Sequence, residues 1–253
     1  MIWLLVPVAL YSVVMLAFWL ILRGKRDDQP SAAGALPKVT VVVAARNEEK
    51  VILQLLESLS RQDYPPELFD IIIVNDNSTD RTPIAVSGFI EMHRQQSAIR
   101  MRLIYNPFMG KKRAIRYGIE KATGELILTT DADCIVGPGW VSAHAASGAP
   151  GSADMIVGEV YQRPAKGFVV LFGIFEFSAL QAVTEAAVRA GHPVMCNGAN
   201  MSFRREIYLR HMNELRDELP SGDDMFLLHA VSRAGGRVGY AGSGTAAAET
   251  AGA

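Results

Sequence analysis

The sequence has few cysteines and almost no charge imbalance, and each shortage removes a class of function. Its 253 residues include two cysteines, Cys134 and Cys196, far apart and in no metal or redox spacing. They read as two buried or free thiols. The formal net charge is −1 and basic residues do not cluster with aromatics, so nothing favours nucleic acid as a partner. No G-x-G-x-x-G occurs, which disfavours a dinucleotide-dependent dehydrogenase. Internal repeats and long low-complexity tracts are also missing. What remains is 49% hydrophobic and 20% charged, and long enough for one full α/β domain with a substantial core.

The slight apolar excess has a clear source. Ile2 to Leu22 carries no charged residue and has the length of a helix that crosses a bilayer once. A cleaved signal peptide would want a basic region before the apolar run and a small-residue cleavage site after it. Here the basic residues Arg23, Lys25 and Arg26 follow the run. That asymmetry predicts a retained anchor with the rest of the chain in the cytoplasm, on a bacterial inner membrane. The chain then divides into a transmembrane helix over 1–22, a linker over 23–37 and one domain over 38–253.

Within the domain, short apolar runs alternate with helical patterns. Strands are expected at Val39–Ala45, Asp70–Val74, Met101–Tyr105 and Glu125–Thr130. Helices are expected at Glu48–Gln62, Thr82–Gln95 and Lys111–Ala122. Such alternation implies βαβ units and a mostly parallel central sheet with flanking helices. Later the rhythm loosens. Asp154 to Tyr161 reads as a strand, and Gly167 to Ala190 as a long apolar helix. Glu176 and Glu185 argue against a second span, so that helix is expected in the core rather than on a membrane surface. Met225 to Arg233 reads as a further helix, followed by a tail of small residues.

In parallel sheets, ligands sit beyond the carboxyl ends of the strands. Four polar clusters fall at that edge: Arg46, Asn47 and Glu48; Asn75 to Asp80; Gly110, Lys111 and Lys112; and Asp131 with Asp133. Each alone is also what a helix cap or turn looks like. Asp131 and Asp133, one residue apart in an extended segment, would point the same way. Paired carboxylates suit a hard divalent ion, Mg²⁺ or Mn²⁺, held together with substrate phosphates.

Read in order, Val41 to Glu48, Ile73 to Asp80, Gly110 to Ala114, Asp131-Ala132-Asp133, Asn197 to Arg205 and Gly222-Asp223-Asp224 resemble the successive motifs of family 2 glycosyltransferases. The resemblance implies a GT-A fold, an α/β Rossmann-like nucleotide-binding half with an acceptor half. It implies inverting transfer from a nucleotide-sugar donor, a UDP-sugar in the first instance, to a glycan, lipid or polyprenyl-linked acceptor. By position Asp76 would contact the nucleoside, with Ala45, Asn47 and Glu48 lining that pocket. Lys111 would lie near the phosphates. Asp131 and Asp133 would hold nucleotide and metal, Asp133 more firmly. Gly198 and Asn200 would shape the donor–acceptor junction, and Asp224, with Asp223 beside it, would be the catalytic base.

Two departures qualify the resemblance. The Gln-x-x-Arg-Trp signature of many processive members is absent, and the chain ends near where that region would begin, which suggests a truncated sequence. The family's Glu-Asp pair appears as Asp223-Asp224. Two rivals remain: a nucleotide-sugar-binding subunit without catalysis, and a sugar nucleotidyltransferase, although Ala44-Ala45-Arg46-Asn47 is not a glycine-rich phosphate loop. The sequons Asn77-Ser78-Thr79 and Asn200-Met201-Ser202 fall inside site motifs and read as accidental, in keeping with a cytoplasmic domain.

Overall fold

The computed structural model describes residues 2–24, 35–94, 97–148, 152–164, 166–215, 222–242 and 244–250. Lys25, Arg26 and most of the expected linker therefore lie outside the described residues, as does the expected helix end at Gln95. The chain begins with helix α1 (Ile2–Arg23), then β1 (Val39–Ala45), α2 (Ile52–Ser60), β2 (Phe69–Asn75), α3 (Thr82–His93), β3 (Arg100–Tyr105), α4 (Lys111–Lys121) and β4 (Leu126–Thr129). It continues through β5 (Cys134–Val136), α5 (Trp140–Ser147), β6 (Met155–Gly158), β7 (Val160–Gln162) and α6 (Phe168–Arg189). Last come β8 (Met201–Arg204), α7 (Arg205–His211), α8 (Asp223–Arg233), β9 (Val238–Ala241) and β10 (Ala248–Thr250).

Seven strands form the main sheet in the order β3-β2-β1-β4-β8-β6-β9. The first four are mutually parallel, as the βαβ rhythm requires; β8 runs antiparallel to both β4 and β6, and β9 runs parallel to β6. The central strands are apolar throughout because both faces are covered. Val41, Val43, Ile71 and Ile73 face the core under α2, α3 and α5, whereas Val42, Ile72 and Val74 face the core under α4, α7 and α8. The period-two alternation of the pleat sends neighbours to opposite cores. Ala45 pairs with Asn75, so β1 and β2 end level, and the Asp76 N–H donates to the Ala45 carbonyl at 2.8 Å.

Four expectations need correction. The helix expected from Glu48 starts at Ile52; the segment before it is a turn, in which the backbone N–H groups of Glu48 and Glu49 donate to Thr82 and Asp80 of the neighbouring loop. The strand expected over Asp154 to Tyr161 is two: β6 stays in the main sheet, and β7 joins a second, three-stranded sheet, β5-β10-β7. The small-residue tail is not structureless, since β10 pairs with both β5 and β7. Its alanines are what fits there: Ala246, Ala247 and Ala248 are buried.

The fourth concerns α6, expected in the core. Its fully buried residues, Thr184, Ala186, Ala187 and Val188, all lie in its carboxyl-terminal part, with half-buried Phe177 packed farther back. Phe168, Val169, Leu171, Phe172 and Phe175 are exposed, Phe168 and Val169 by more than 80%. Helical apolarity does not by itself tell a core helix from one with another apolar neighbour. Here α6 packs against α1.

Candidate active site

The loops after β1 and β2 are knitted together before they meet any ligand. Asn47 and Asn77 both adopt positive φ, 58° and 56°, a conformation asparagine tolerates better than most residues. The Asn47 side-chain oxygen accepts from the Thr79 N–H at 2.8 Å, and the Asn47 N–H donates to Ser78 Oγ at 3.1 Å. Asn47 is thus committed to the loop, and Ala45 is buried beneath it. Arg46 and Glu48 reach the pocket instead. Its lining is Ala44, Arg46, Glu48, Asp76, Lys111, Asp131, Ala132 and Asp133, around a cavity of about 280 Å³.

Asp76 forms the floor and is almost fully buried. Its carboxylate accepts from Asn106 Nδ2 at 2.8 Å and from the Gly110 N–H at 2.9 and 3.1 Å. It therefore braces the loop that leads into α4 while facing the pocket. Lys111 stands in the first turn of α4, and its Nζ donates to Asp131 Oδ1 at 2.6 Å. Burial would lower the Lys111 pKa, but the Asp131 charge and hydrogen bond, with Asp223 and Asp224 adding, raise it above the ordinary lysine value. This cation is held protonated among carboxylates.

Asp131-Ala132-Asp133 is not extended. It is a tight turn between β4 and β5, closed by the Cys134 N–H on the Asp131 carbonyl at 3.1 Å. The turn, and not strand alternation, brings both carboxylates to the same pocket. Asp133 Oδ2 accepts from Thr250 Oγ1 at 3.0 Å. Sequence reasoning missed Thr250: a residue of a small-residue tail, 117 positions away, carries no local signal. Burial, then the charges of Asp133, Asp131 and Asp80, raise the Glu48 carboxyl pKa, with Lys111 opposing. The two cysteines are free, as expected. The Cys134 thiol is pushed up to about 12, by burial first and the two aspartates second, which leaves it unreactive.

A second pocket opens on the other side of the Lys111–Asp131 pair. Lys111, Lys112, Thr129, Asp131, Asn197, Gly198, Asp223 and Asp224 are among its walls, around about 180 Å³. Lys111 and Asp131 belong to both cavities, so the two are halves of one cleft. Gly222, at φ 87°, turns the chain into α8 so that Asp223 and Asp224 occupy its first turn. Asp224 Oδ2 accepts from the Gly198 N–H at 3.0 Å and its Oδ1 from the Met225 N–H at 2.8 Å. The Asp223 carboxyl pKa is raised by burial and then by the neighbouring Asp224 charge.

Asn200 is the expected site residue that the structure places behind the cleft. It is fully buried, and both amide hydrogens are donated, to the carbonyls of Glu159 (2.6 Å) and Ala246 (2.8 Å). Its oxygen accepts from Trp140 Nε1 and lies 2.9 Å from His144 Nε2. Gly158 is required beside it, since an added Cβ would come within 2.4 Å of the Asn200 amide nitrogen. Asn200 meets the junction segment through its backbone, its N–H donating to the Asn197 carbonyl at 3.0 Å.

A divalent ion fits the donor set of the first pocket. Glu48, Asp131 and Asp133 line it together, and the Glu48 pKa is raised by burial first and by the charges of Asp133 and Asp131 second. Among the described residues no cluster of three or more His, Cys, Asp or Glu is arranged to hold a metal by itself.

Residues 40–211 match the model of glycosyl transferase family 2. The chain belongs to this family. Among curated relatives, a probable glycosyltransferase, YdaM of Bacillus subtilis, is 40% identical over 100 residues, or 39% of this chain and 23% of the relative. A beta-monoglucosyldiacylglycerol synthase of Nostoc is 33% identical over 111 residues, covering 44% of this chain and 23% of that protein. The chain thus spans about a quarter of the length of these relatives. Among solved structures, a mannosyltransferase of Pyrobaculum calidifontis, in complex with GDP-Man and Mn²⁺, superposes with a TM-score of 0.76 at 23% identity. That superposition covers 98% of this chain and 67% of the other. At this identity the likeness establishes the family 2 chain's fold, a GT-A arrangement with a mostly parallel sheet.

Proposed function

We propose that this domain transfers a sugar, with inversion, from a nucleotide-sugar donor to an acceptor hydroxyl at a membrane. The observation that carries the reading is the shared cleft. Donor-side groups (Glu48, Asp76, Asp133) and acceptor-side groups (Asp223, Asp224, Gly198) open on the two sides of one Lys111–Asp131 pair. The mannosyltransferase complex with GDP-Man and Mn²⁺ supports a nucleotide-sugar and a divalent ion as ligands. A UDP-sugar is the donor we favour.

In the transfer, the acceptor oxygen attacks the anomeric carbon from the face opposite the diphosphate. A C–O bond forms, the bond to the diphosphate breaks, and the proton leaves with a base. Asp224 is that base, because its carboxylate is oriented by two backbone N–H groups at the cleft wall. Asp223, beside it in the first turn of α8, has its carboxyl pKa raised by burial and then by the Asp224 charge, so it takes up a proton more readily than an ordinary aspartate. Lys111, kept protonated, opposes the negative charge that develops on the leaving diphosphate. A divalent ion on Asp131 and Asp133 would supply further neutralisation of that charge when bound. Asp76 and Glu48 hold the nucleoside side of the donor in place.

Helix α1, 22 residues with Arg23 as its last, is the anchor in this reading, with the transferase domain on the cytoplasmic side. The test is thermal stabilisation of the full chain by a panel of nucleotide-sugars with and without Mn²⁺. Stabilisation by UDP-sugars that requires Mn²⁺, and is lost in Asp133→Ala, supports the donor site. Stabilisation that survives Asp133→Ala unchanged would remove the metal assignment.

A further inference from the structure

The exposed part of α6 is unlike an ordinary docking face. Phe168, Val169, Val170, Leu171 and Phe172 are five consecutive residues, all exposed, at 84%, 81%, 45%, 54% and 58%. Consecutive helical positions are about 100° apart, so these five go all the way round the helix. A groove on a partner protein covers one stripe. Exposure on every side of an apolar helix calls for an apolar solvent. Phe175 and Leu180 extend the same surface to 71% and 45% exposure.

Among the described residues, Phe168–Arg189 is long and apolar enough to cross a membrane. It cannot do so along its whole length, because Thr184, Ala186, Ala187 and Val188 are built into the domain. Residues 168–180, roughly 20 Å of helix, offer lipid every side at their start and all but the half-buried Gly173, Ile174 and Phe177 beyond it. Exposed Lys166 precedes this stretch and exposed Glu176 lies within it. Those charges suit a shallow position with their heads at the level of the lipid headgroups. The neighbour of α6 points the same way. Helix α1 packs against it, carries exposed Tyr11, Val13, Leu16 and Leu20, and ends with the Arg23 guanidinium stacked 3.9 Å over the Trp19 ring. Aromatic and basic side chains at a helix end are the usual markers of a membrane–water boundary.

We infer that residues 168–180 of α6 are immersed in the bilayer surface beside α1, as a second membrane element of this chain. The inference rests on the anchor role proposed for α1. It has a consequence for the cleft, since Phe177 packs with Cys134, Val160 and Ala199. Cys134 follows Asp133 and Ala199 follows Gly198 in the chain, so the immersed helix braces both halves of the site.

The test uses the full chain in vesicles of phosphatidylcholine and phosphatidylglycerol. Nitroxide labels are placed singly at Phe172→Cys, Val13→Cys and Ile84→Cys in a Cys196→Ser background. Ile84, on α3, is 72% exposed and serves as the water-facing reference. The expected result is that labels at 172 and 13 collide with oxygen and lose contact with a water-soluble nickel chelate, with the reverse at 84. A water-exposed label at 172 beside a lipid-exposed one at 13 overturns the α6 inference and leaves the anchor standing. Water exposure at both removes both. A label at 172 shielded from oxygen and nickel alike means that protein covers the helix, which also overturns the inference.

Discussion

Acid should destabilise this fold through one buried histidine, and the size of the effect follows from its surroundings. His144 is fully buried on α5, its Nε2 2.9 Å from the Asn200 oxygen and its Nδ1 2.9 Å from Ser202 Oγ. Asn200 Oδ1 can only accept, so the proton sits on Nε2, and Nδ1 accepts from the serine. Burial lowers the pKa from 6.5 to about 4, the Asn200 hydrogen bond opposing. The unfolded chain therefore binds a proton between pH 6.5 and 4 that the folded chain refuses. Stability from this group is complete above pH 6.5, falls as the pH drops, and is fully lost near pH 4. A shift of that size corresponds to about 3 kcal/mol, or roughly 6–12 °C in Tm for a domain this large. The raised pKa values of Glu48 and Asp223 act with the opposite sign, favouring the folded state as their carboxylates protonate. The measurement is therefore a difference. Thermal unfolding of the unaltered chain and of His144→Gln, which keeps a hydrogen-bonding amide and cannot titrate, is followed from pH 7 to pH 4. The unaltered chain should lose about 3 kcal/mol more than the variant over this range. Parallel pH profiles for the two chains would refute the assignment.

Asp224→Asn should lower transfer by about 10²–10⁴-fold with donor-induced stabilisation kept, measured by product formation and by thermal shift on the same preparation. Asn200→Ala removes two donated hydrogen bonds and leaves the Trp140 N–H and two carbonyls buried without it. About 3–5 kcal/mol of stability should be lost, read from denaturant midpoints. Gly198→Leu tests the junction: a Cβ at 198 would sit 3.6 Å from Asp224 Oδ2. The longer side chain should obstruct the acceptor half and raise the acceptor KM, while donor stabilisation with Mn²⁺ stays near that of the unaltered chain.

The sequence was enough for the parallel half of the sheet and for which polar residues stand at its edge. Strands β1, β2 and β4 are apolar runs because both faces are buried, and that pattern is local. The polar residues that follow them are equally local, which is why Glu48, Asp76, Lys111, Asp131 and Asp133 were nameable beforehand as residues at that edge; Asp224, at the start of α8, was nameable only from the family resemblance. Their partners were not. Asn47 looked like a pocket residue but spends its side chain on Thr79, and Asn200 looked like a junction residue but lies behind it, sharing hydrogen bonds with Trp140 and His144.

Tertiary structure decided three things that no window of sequence contains. It closed Asp131-Ala132-Asp133 into a turn, so the convergence of its carboxylates comes from backbone geometry and not from strand period. It made a strand of the small-residue tail, pairing it with β5 on one side and β7 on the other, and so brought Thr250 to Asp133. It left half of α6 uncovered. Apolarity along a helix records only that the helix avoids water. Whether protein or lipid takes the place of water depends on what the rest of the chain puts beside it.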